Sequence, residues 1–393
     1  MDTTSINSLI DSVKDDVIAW RRHFHQYPEL SYQETKTSQF VYDTLSALGN
    51  LEVSRPTPTS VLARLTGAKP GKTLALRADM DALPIQEESG CEFASCNDGV
   101  MHACGHDAHT AMLLGAATVL SKLQHCLAGE LRFLFQHAEE MQPGGSREMM
   151  AAGVLTGADL IIGLHVMSHI PVGKVCMLSG PAMASADIFD IVITGKGGHS
   201  SQPHLVIDPI AIAAQVMTNL QHLVSRNLDP MEQLVFSITT IHGGSAYNII
   251  PDTVTLQGSV RSFDRKVRSM AAELIERISS GVAAAHGATS QLDYKYGYDA
   301  VINDPAIAKV VEETVVQLWG REALHTMDPL MGSEDFSFYL SEVPGAFIFI
   351  GAANPSKYEV YPLHNSHVAF DEDCLDTGVR LTVHGALQLL SQE

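Results

Sequence analysis

Between positions 102 and 109 the chain reads His102-Ala-Cys104-Gly-His106-Asp107-Ala-His109, the densest group of metal-capable side chains in the sequence. His102, Cys104 and His106 are two residues apart, so an extended loop places them on one side. Imidazole nitrogen and thiolate sulfur together suit zinc, cobalt or nickel and, less typically, manganese. Gly105 lets the backbone turn tightly before a helix begins. The plainer alternative is a histidine-rich helix entrance with one buried cysteine. What decides between the two is whether other donors converge on the same place.

Three further segments supply them. In Glu139-Glu140, neighbouring carboxylates in a strand or loop face different ways, so one can bind metal while the other stays free as a general base. Alone, such a pair is an ordinary solvated turn. His165 follows Ile-Ile-Gly-Leu, and His364 stands in Tyr-Pro-Leu-His-Asn. In isolation each would be a satisfied core or surface histidine, which is how His125, His222, His286, His325 and His384 are read.

The elements that must position these residues follow from hydrophobic period. A helix is predicted over Ser5–Phe24, from the spacing of Ile6, Leu9, Ile10, Val13, Val17 and Trp20, and another over Thr35–Leu48, ended by Gly49. Thr73–Ala78, Leu131–Gln136 and Leu160–Leu164 read as buried strands, and Asp107–Leu123 as a helix between them. Alternating strands and helices imply an α/β domain with a mostly parallel sheet flanked by helices. Each strand runs into polar residues: Asp79 and Asp81, then His137, Glu139 and Glu140, then His165. Ligand sites of open α/β sheets lie beyond the carboxyl ends of their strands.

The middle of the chain changes character. Strand Asp187–Thr194, helix 209–223, strands Leu234–Ile241 and Thr253–Ser262, helix Val267–Ala285 and a strand near Gln291–Tyr296 form a β-α-β-β-α-β unit. The expected division is residues 1–184 and 298–393 as a metal-binding catalytic domain, with residues 185–297 as an inserted α+β domain. The later part returns to α/β character with strand Ala346–Ile350 and helix Asp373–Leu390.

With 393 residues, 45% of them hydrophobic, the chain can bury a large core. A net charge of −20 argues against a nucleic-acid partner. No apolar run reaches the roughly 18 residues of a spanning helix, so no membrane role is expected. The six cysteines are read as reduced thiols and the protein as cytoplasmic, because nothing at the N-terminus resembles a secretory signal.

The motifs Arg77-Ala-Asp79-Met-Asp81-Ala-Leu-Pro84, Met101-His-Ala-Cys104-Gly-His106-Asp107-Ala-His109, Ala138-Glu139-Glu140 and Gly163-Leu-His165 occur in order. So do Gly195-Lys-Gly-Gly198-His199-Ser-Ser-Gln-Pro203-His204, Asn248-Ile-Ile-Pro251, Gly258-Ser-Val-Arg261-Ser-Phe-Asp264, Gly332-Ser-Glu334-Asp335-Phe336 and Leu363-His364-Asn365. Together they resemble the aminoacylase and carboxypeptidase family of metallopeptidase-like amidohydrolases, in the branch of hippurate hydrolases and indole-3-acetyl-amino-acid hydrolases.

The resemblance implies a catalytic domain split around a lid and dimerisation domain, in a homodimer or homotetramer. It implies two divalent metal ions (Mn, Zn, Ni or Co) held by Cys104, His106, Glu140, His165 and His364. Glu140 and His364 would serve one ion, His106 and His165 the other, with a Cys104 thiolate bridging them. The implied reaction is hydrolysis of the amide bond of an N-acyl amino acid, of hippurate, N-acetyl or indoleacetyl type, by metal-activated water. Glu139 would be the general base, Asp81 would orient the site, and His199 would donate to the oxyanion from a partner subunit. Asn248 and Arg261 would hold the substrate, Arg suiting a carboxylate by its forked geometry. The Gly195–Gly198 run lacks the ending of a phosphate loop and reads as a turn presenting His199. The sequence departs from the family where His137 replaces the usual proline. Asp79 stands where other branches carry a ligand histidine and is not counted as a ligand. Rival readings are a metallo-dipeptidase or carboxypeptidase on the same scaffold, a non-catalytic metal-binding protein, and a thiol enzyme using Cys104 as nucleophile.

Overall fold

The structure is a computed structural model and describes residues 3–391. The chain divides into two compact units, one of Met1–Ala182, Ile302–Asp328 and Asp335–Glu393, the other of Met183–Val301 and Pro329–Glu334. The short stretch 329–334 thus packs with the inserted part.

The first unit is built on a seven-stranded sheet. Four central strands, Ala128–Gln136, Lys69–Asp79, Leu160–Pro171 and Gly345–Ala353, are parallel neighbours in that order. Antiparallel strands close the edges, Val61–Thr66 and Glu52–Ser54 on one side and Val175–Cys176 on the other. The inner strands carry continuous apolar runs such as Phe133–Phe135 and Phe347–Ile350, as a sheet covered on both faces requires. The α/β class and the parallel centre predicted from sequence are as observed, and the antiparallel edges make the whole sheet mixed.

Helix His106–Lys122 lies almost wholly buried in this unit. Helices Lys14–Gln26 and Asp373–Ser391 pack on it through small residues. A Cβ at Gly115 would stand 2.6 Å from Val17 Cγ2, so only glycine allows the approach. Two local expectations are corrected. The helix expected over Ser5–Phe24 is two helices, Thr3–Asp11 and Lys14–Gln26. At the break, Ser12 Oγ donates to the Leu9 carbonyl at 2.7 Å, a side-chain bond that competes with helix continuation. The strand expected to stop at Leu164 continues to Pro171, because Gly345–Ala353 goes on pairing with it. Its pairing with Lys69–Asp79 ends at Arg77↔Gly163, so His165 still lies past that edge of the sheet.

The second unit carries an antiparallel sheet in the order Leu234–His242, Thr253–Ser262, Asp187–Thr194, Thr289–Lys295. Helices Pro209–Leu220 and Arg265–Ala285 bury Ile212, Val216 and Ile275 with Phe189, Ile191 and Leu256 of the strands. Both helices start at an aspartate, Asp208 and Asp264, whose side chain accepts from two backbone N–H groups. The β-α-β-β-α-β order is the predicted one. Asp187 is fully enclosed and accepts from Arg268 Nε at 2.8 Å, Tyr294 Oη at 2.8 Å and Gly297 N at 3.0 Å. Among the described residues no helix is long and apolar enough to cross a membrane.

Asp187→Ala leaves the buried Arg268 guanidinium with Asp299 as its one carboxylate among the described residues, and removal of one partner of a buried pair costs about 3–5 kcal/mol. A loss near the lower figure is expected in urea unfolding followed by circular dichroism. A loss below about 1 kcal/mol would contradict the anchoring role of this cluster.

Candidate metal centre

Seven of the residues singled out from sequence converge within the first unit. Cys104 Sγ lies 3.4 Å from His165 Nε2 and 3.4 Å from His364 Nε2. His364 Nε2 is 3.1 Å from Glu140 Oε1, and His106 Nε2 is 4.0 Å from the same oxygen. The donors fall into two trios that share the sulfur, Cys104–His106–His165 and Cys104–Glu140–His364, each within 4.8 Å. Glu139 joins His106 and Glu140 in a third grouping of that size. His364 is half exposed while Cys104, His106 and His165 are buried, so the cluster opens on its His364 side.

The backbone explains how scattered residues meet. Gly105 has φ +91°, and a Cβ there would stand 2.3 Å from Val166 Cγ2. Only glycine can therefore separate Cys104 from His106 at the helix start. Ala138 and His364 hold φ of +51° and +63°, rare for residues with a side chain. Ala138 is pinned by its N–H donating to Glu34 Oε1 at 2.8 Å, and His364 by its N–H donating to the Ala103 carbonyl at 2.9 Å. The turn at Ala138 sends the chain away from the strand before Glu139 and Glu140.

Hydrogen bonds fix which nitrogen is free. His106 Nδ1 faces the Asp81 carbonyl at 2.9 Å and carboxylate at 3.2 Å, so it carries the proton and aims Nε2 into the cluster. That buried Nε2 has no hydrogen-bond partner among the described residues. His165 Nδ1 donates to the Val166 carbonyl at 2.7 Å, leaving its Nε2 lone pair toward Cys104. Asp81 also accepts from Ser31 Oγ at 2.6 Å and from Glu140 N at 3.0 Å, joining three segments of the site. His109 lies close to Asp79 and His106, yet both its nitrogens are committed. Nδ1 donates to Asp79 at 2.6 Å and Nε2 accepts from Val166 N at 2.9 Å. It is thus a spacer and not a ligand.

Electrostatics point the same way. Burial, then the charges of Glu140, Glu139 and Asp79, hold the Cys104 thiol well above its ordinary value. A thiolate among these carboxylates requires cations beside it. Burial would lower His106, but Asp79 and Asp81 raise it to about 10, so its Nε2 position calls for positive charge. Burial and the neighbouring His109 push His165 well below its usual range, leaving a neutral imidazole. Free imidazole lone pairs, a carboxylate and a thiol in two trios fit a pair of divalent ions.

Sequence reading missed the layer behind the donors. Asp335 accepts from Arg77 at 2.9 Å, from Gln136 Nε2 at 2.7 Å and from Ser146 N at 3.0 Å, while its own N–H lies 3.4 Å from Glu139 Oε1. It stood inside a recognised motif, without any local signal of this role. Asp107 accepts from Arg21 Nε and His25 Nδ1, both at 2.8 Å, which ties helix Lys14–Gln26 to the first turn of the His106 helix. His137 is buried and its Nε2 lies 3.1 Å from Glu148 Oε2, so a hydrogen-bonding side chain takes the place of the rigid ring.

His199, Asn248 and Arg261 lie in the second unit. The short strands Gly198–His199 and Ile249–Ile250 pair antiparallel, and Ser200 N donates to the Asn248 carbonyl at 3.1 Å. His199 Nδ1 accepts from Ser201 N at 3.1 Å, which places the ring proton on Nε2. Arg261 NH1 donates to the Met331 carbonyl at 3.0 Å.

The family model for peptidase family M20/M25/M40 matches residues 75–388. The chain belongs to this family. An N-acyl-L-amino acid amidohydrolase of Geobacillus stearothermophilus is 57% identical over 303 residues, 77% of this chain and 82% of that protein. Thermostable carboxypeptidase 1 of Saccharolobus solfataricus is 43% identical over 372 residues, 94% of each chain. A crystal structure of a dinuclear metal binding peptidase from the M20 family of Bacillus subtilis superposes with a TM-score of 0.87 at 34% identity. It covers 98% of this chain and 100% of that one. The resemblance read from the motifs is borne out, and with it the class: this M20 chain is a metal-dependent hydrolase of amide bonds.

The support behind the M20 metal loop sets a pH range for stability. Burial would lower His25, but Asp107 and further hydrogen bonds raise it to about 10. Burial would raise Glu87, but His25, Ser89 and the Ser95 N–H bring it from 4.5 to about 2. The stabilisation from Glu87 is present above about pH 4.5 and lost as pH falls toward 2. That from His25 is present below about pH 6.5 and lost as pH rises toward 10. In metal-free protein, the melting-temperature gap between wild type and Glu87→Gln should therefore be widest between about pH 4.5 and 6.5. A constant gap from about pH 3 to 9 would refute the pairing.

Proposed function

We propose that this chain hydrolyses the amide bond of N-acyl amino acids with two divalent ions held by Cys104, His106, Glu140, His165 and His364. The observation that carries the reading is the pair of donor trios sharing the Cys104 sulfur, with Glu139 beside them and outside the five-donor set. When bound, two such ions acidify a water and polarise an acyl carbonyl. The residues of the chain do the rest. Glu139 takes a proton from the attacking water and returns it to the leaving amine. The backbone N–H of Asp335, 3.4 Å from Glu139 Oε1, helps keep that carboxylate in place. Asp81 orients His106 through Nδ1 and raises its basicity as a ligand. His199 offers Nε2–H to the oxyanion, a role consistent with Nδ1 being occupied by Ser201. Asn248 and Arg261 bind the substrate's carbonyl and carboxylate.

In this reading residues 1–184 and 298–393 are the catalytic part, and residues 185–297 are the lid and dimerisation part. The ions are manganese, zinc, nickel or cobalt, and the protein is a cytoplasmic homodimer or homotetramer. The 57% identity to an enzyme named for N-acyl-L-amino acids favours such substrates. The carboxypeptidases at 43% and 44% identity support a second reading, cleavage of peptides at the carboxyl end. Turnover of N-acetyl and N-benzoyl amino acids against free dipeptides and N-blocked peptides separates the two. Faster cleavage of the peptides would favour the second.

Glu139→Gln should retain its metal while kcat falls by about 10²–10⁴-fold. Near-normal turnover would remove Glu139 from the mechanism. Cys104→Ala should lose bound metal in elemental analysis after desalting, and an undiminished metal content would rule out the shared sulfur.

A further inference from the structure

We propose that His25, Glu87 and Cys91 form a third metal site, separate from the centre above, that takes a thiophilic divalent cation such as zinc or cadmium. His25 Nε2, Glu87 Oε1 and Cys91 Sγ lie within 4.8 Å of one another and share no donor with the five-residue set. His25 Nε2 is 3.1 Å from Glu87 Oε1, and Cys91 Sγ is 3.6 Å from the same oxygen. A tetrahedral zinc ion, with bonds of about 2.0–2.1 Å to nitrogen and oxygen and about 2.3 Å to sulfur, spans edges of about 3.3 Å and 3.6 Å. The two edges that meet at Glu87 Oε1 already have about that spacing, and the third, from His25 Nε2 to Cys91 Sγ, is within 4.8 Å.

The surroundings prepare each donor. Asp107 Oδ2 lies 2.8 Å from His25 Nδ1, so Nδ1 keeps its proton and donates to the carboxylate, while Nε2 faces Glu87 and Cys91. That carboxylate–histidine arrangement is the one that orients imidazole ligands in metal sites. The second carboxylate oxygen of Glu87 accepts from Ser95 N at 2.6 Å, while Oε1 faces the histidine, the thiol and the Ser89 hydroxyl, which donates to it. His25, Ser89, Cys91 and Phe93 line a cavity of about 330 Å³, room for a water as fourth ligand and a route for the ion. Without a cation, the same atoms are held by protons, as an ion pair of His25 with Glu87 and a thiol donating to Glu87. Metal binding replaces those protons and releases them to solvent.

The test uses the holoenzyme. Wild type and Cys91→Ser are incubated with excess Zn2+, desalted and counted for total divalent metal per chain. Wild type is expected to hold one ion more than the variant, a difference that does not depend on how many ions the catalytic centre carries. Glu87→Gln should lose the same ion. In parallel, iodoacetamide labelling is followed peptide by peptide. Added Zn2+ should slow alkylation of Cys91 at least tenfold, with the exposed Cys96 and Cys126 as unaffected internal standards. Equal metal counts in wild type and Cys91→Ser, or Cys91 alkylation indifferent to Zn2+, overturns the proposal.

Discussion

The first unit is organised around buried negative charge that needs cations. Asp79, Asp81 and Glu139 are buried at the edge where the central strands deliver them, and the charges of Asp79 and Glu139 act on a buried thiol. Isolated buried carboxylates are costly, and a thiolate among them more so. Protein cations relieve only part of this. The Arg77 guanidinium is shared between Asp79 and Asp335, and among the described residues no lysine or arginine bonds Cys104. The remaining charge is placed where imidazole nitrogens converge, which is the electrostatic signature of a site made for divalent ions.

That requirement accounts for otherwise odd local choices. Ala138 and His364 are held in left-handed backbone conformations by hydrogen bonds from distant segments. Strain of this kind persists where the surroundings over-determine it, and it gathers at functional sites. Here it turns the chain just before Glu139 and Glu140 and swings His364 toward Cys104. Similarly, Gly105 is compelled from two directions, by its positive φ and by the methyl group of Val166.

The donors were legible in the sequence to the degree that they were local. Cys104 and His106 announce themselves by density, and Glu139, Glu140 and His165 by following apolar strands. His364 carried no local signal and came only through resemblance. Its partner contacts, to Cys104 and Ala103, span some 260 residues of chain. The strand and helix order of the inserted part was readable because each element is amphipathic at a clear period. The helix break at Ser12 and the continuation of Leu160–Pro171 were not. The first depends on one side-chain hydrogen bond and the second on a neighbouring strand far along the sequence. Asp335, Glu34 and Asp107 were invisible in role for the same reason, since what each holds lies elsewhere in the chain.

The contrast between Asp79 and Asp81 shows how two carboxylates two residues apart acquire different work. Asp79 is consumed by structure: one oxygen accepts from His109, the other from Arg77, and its carbonyl accepts from Thr110 Oγ1 at 2.8 Å. His109 in turn spends its second nitrogen on Val166 N, next to His165. Asp79 therefore sets the spacing between the His106 helix and the His165 strand, with both carboxylate oxygens already hydrogen-bonded. Asp81 meets His106 through both its carbonyl and its carboxylate, and meets Glu140 through the backbone N–H. One residue thus fixes the orientation of a donor in each trio. A change at Asp79 acts through the distance between elements, whereas a change at Asp81 acts on the aim of His106 and Glu140. Both belong to the support of the centre, although one motif of eight residues, Arg77–Pro84, carries them and nothing in that motif tells them apart.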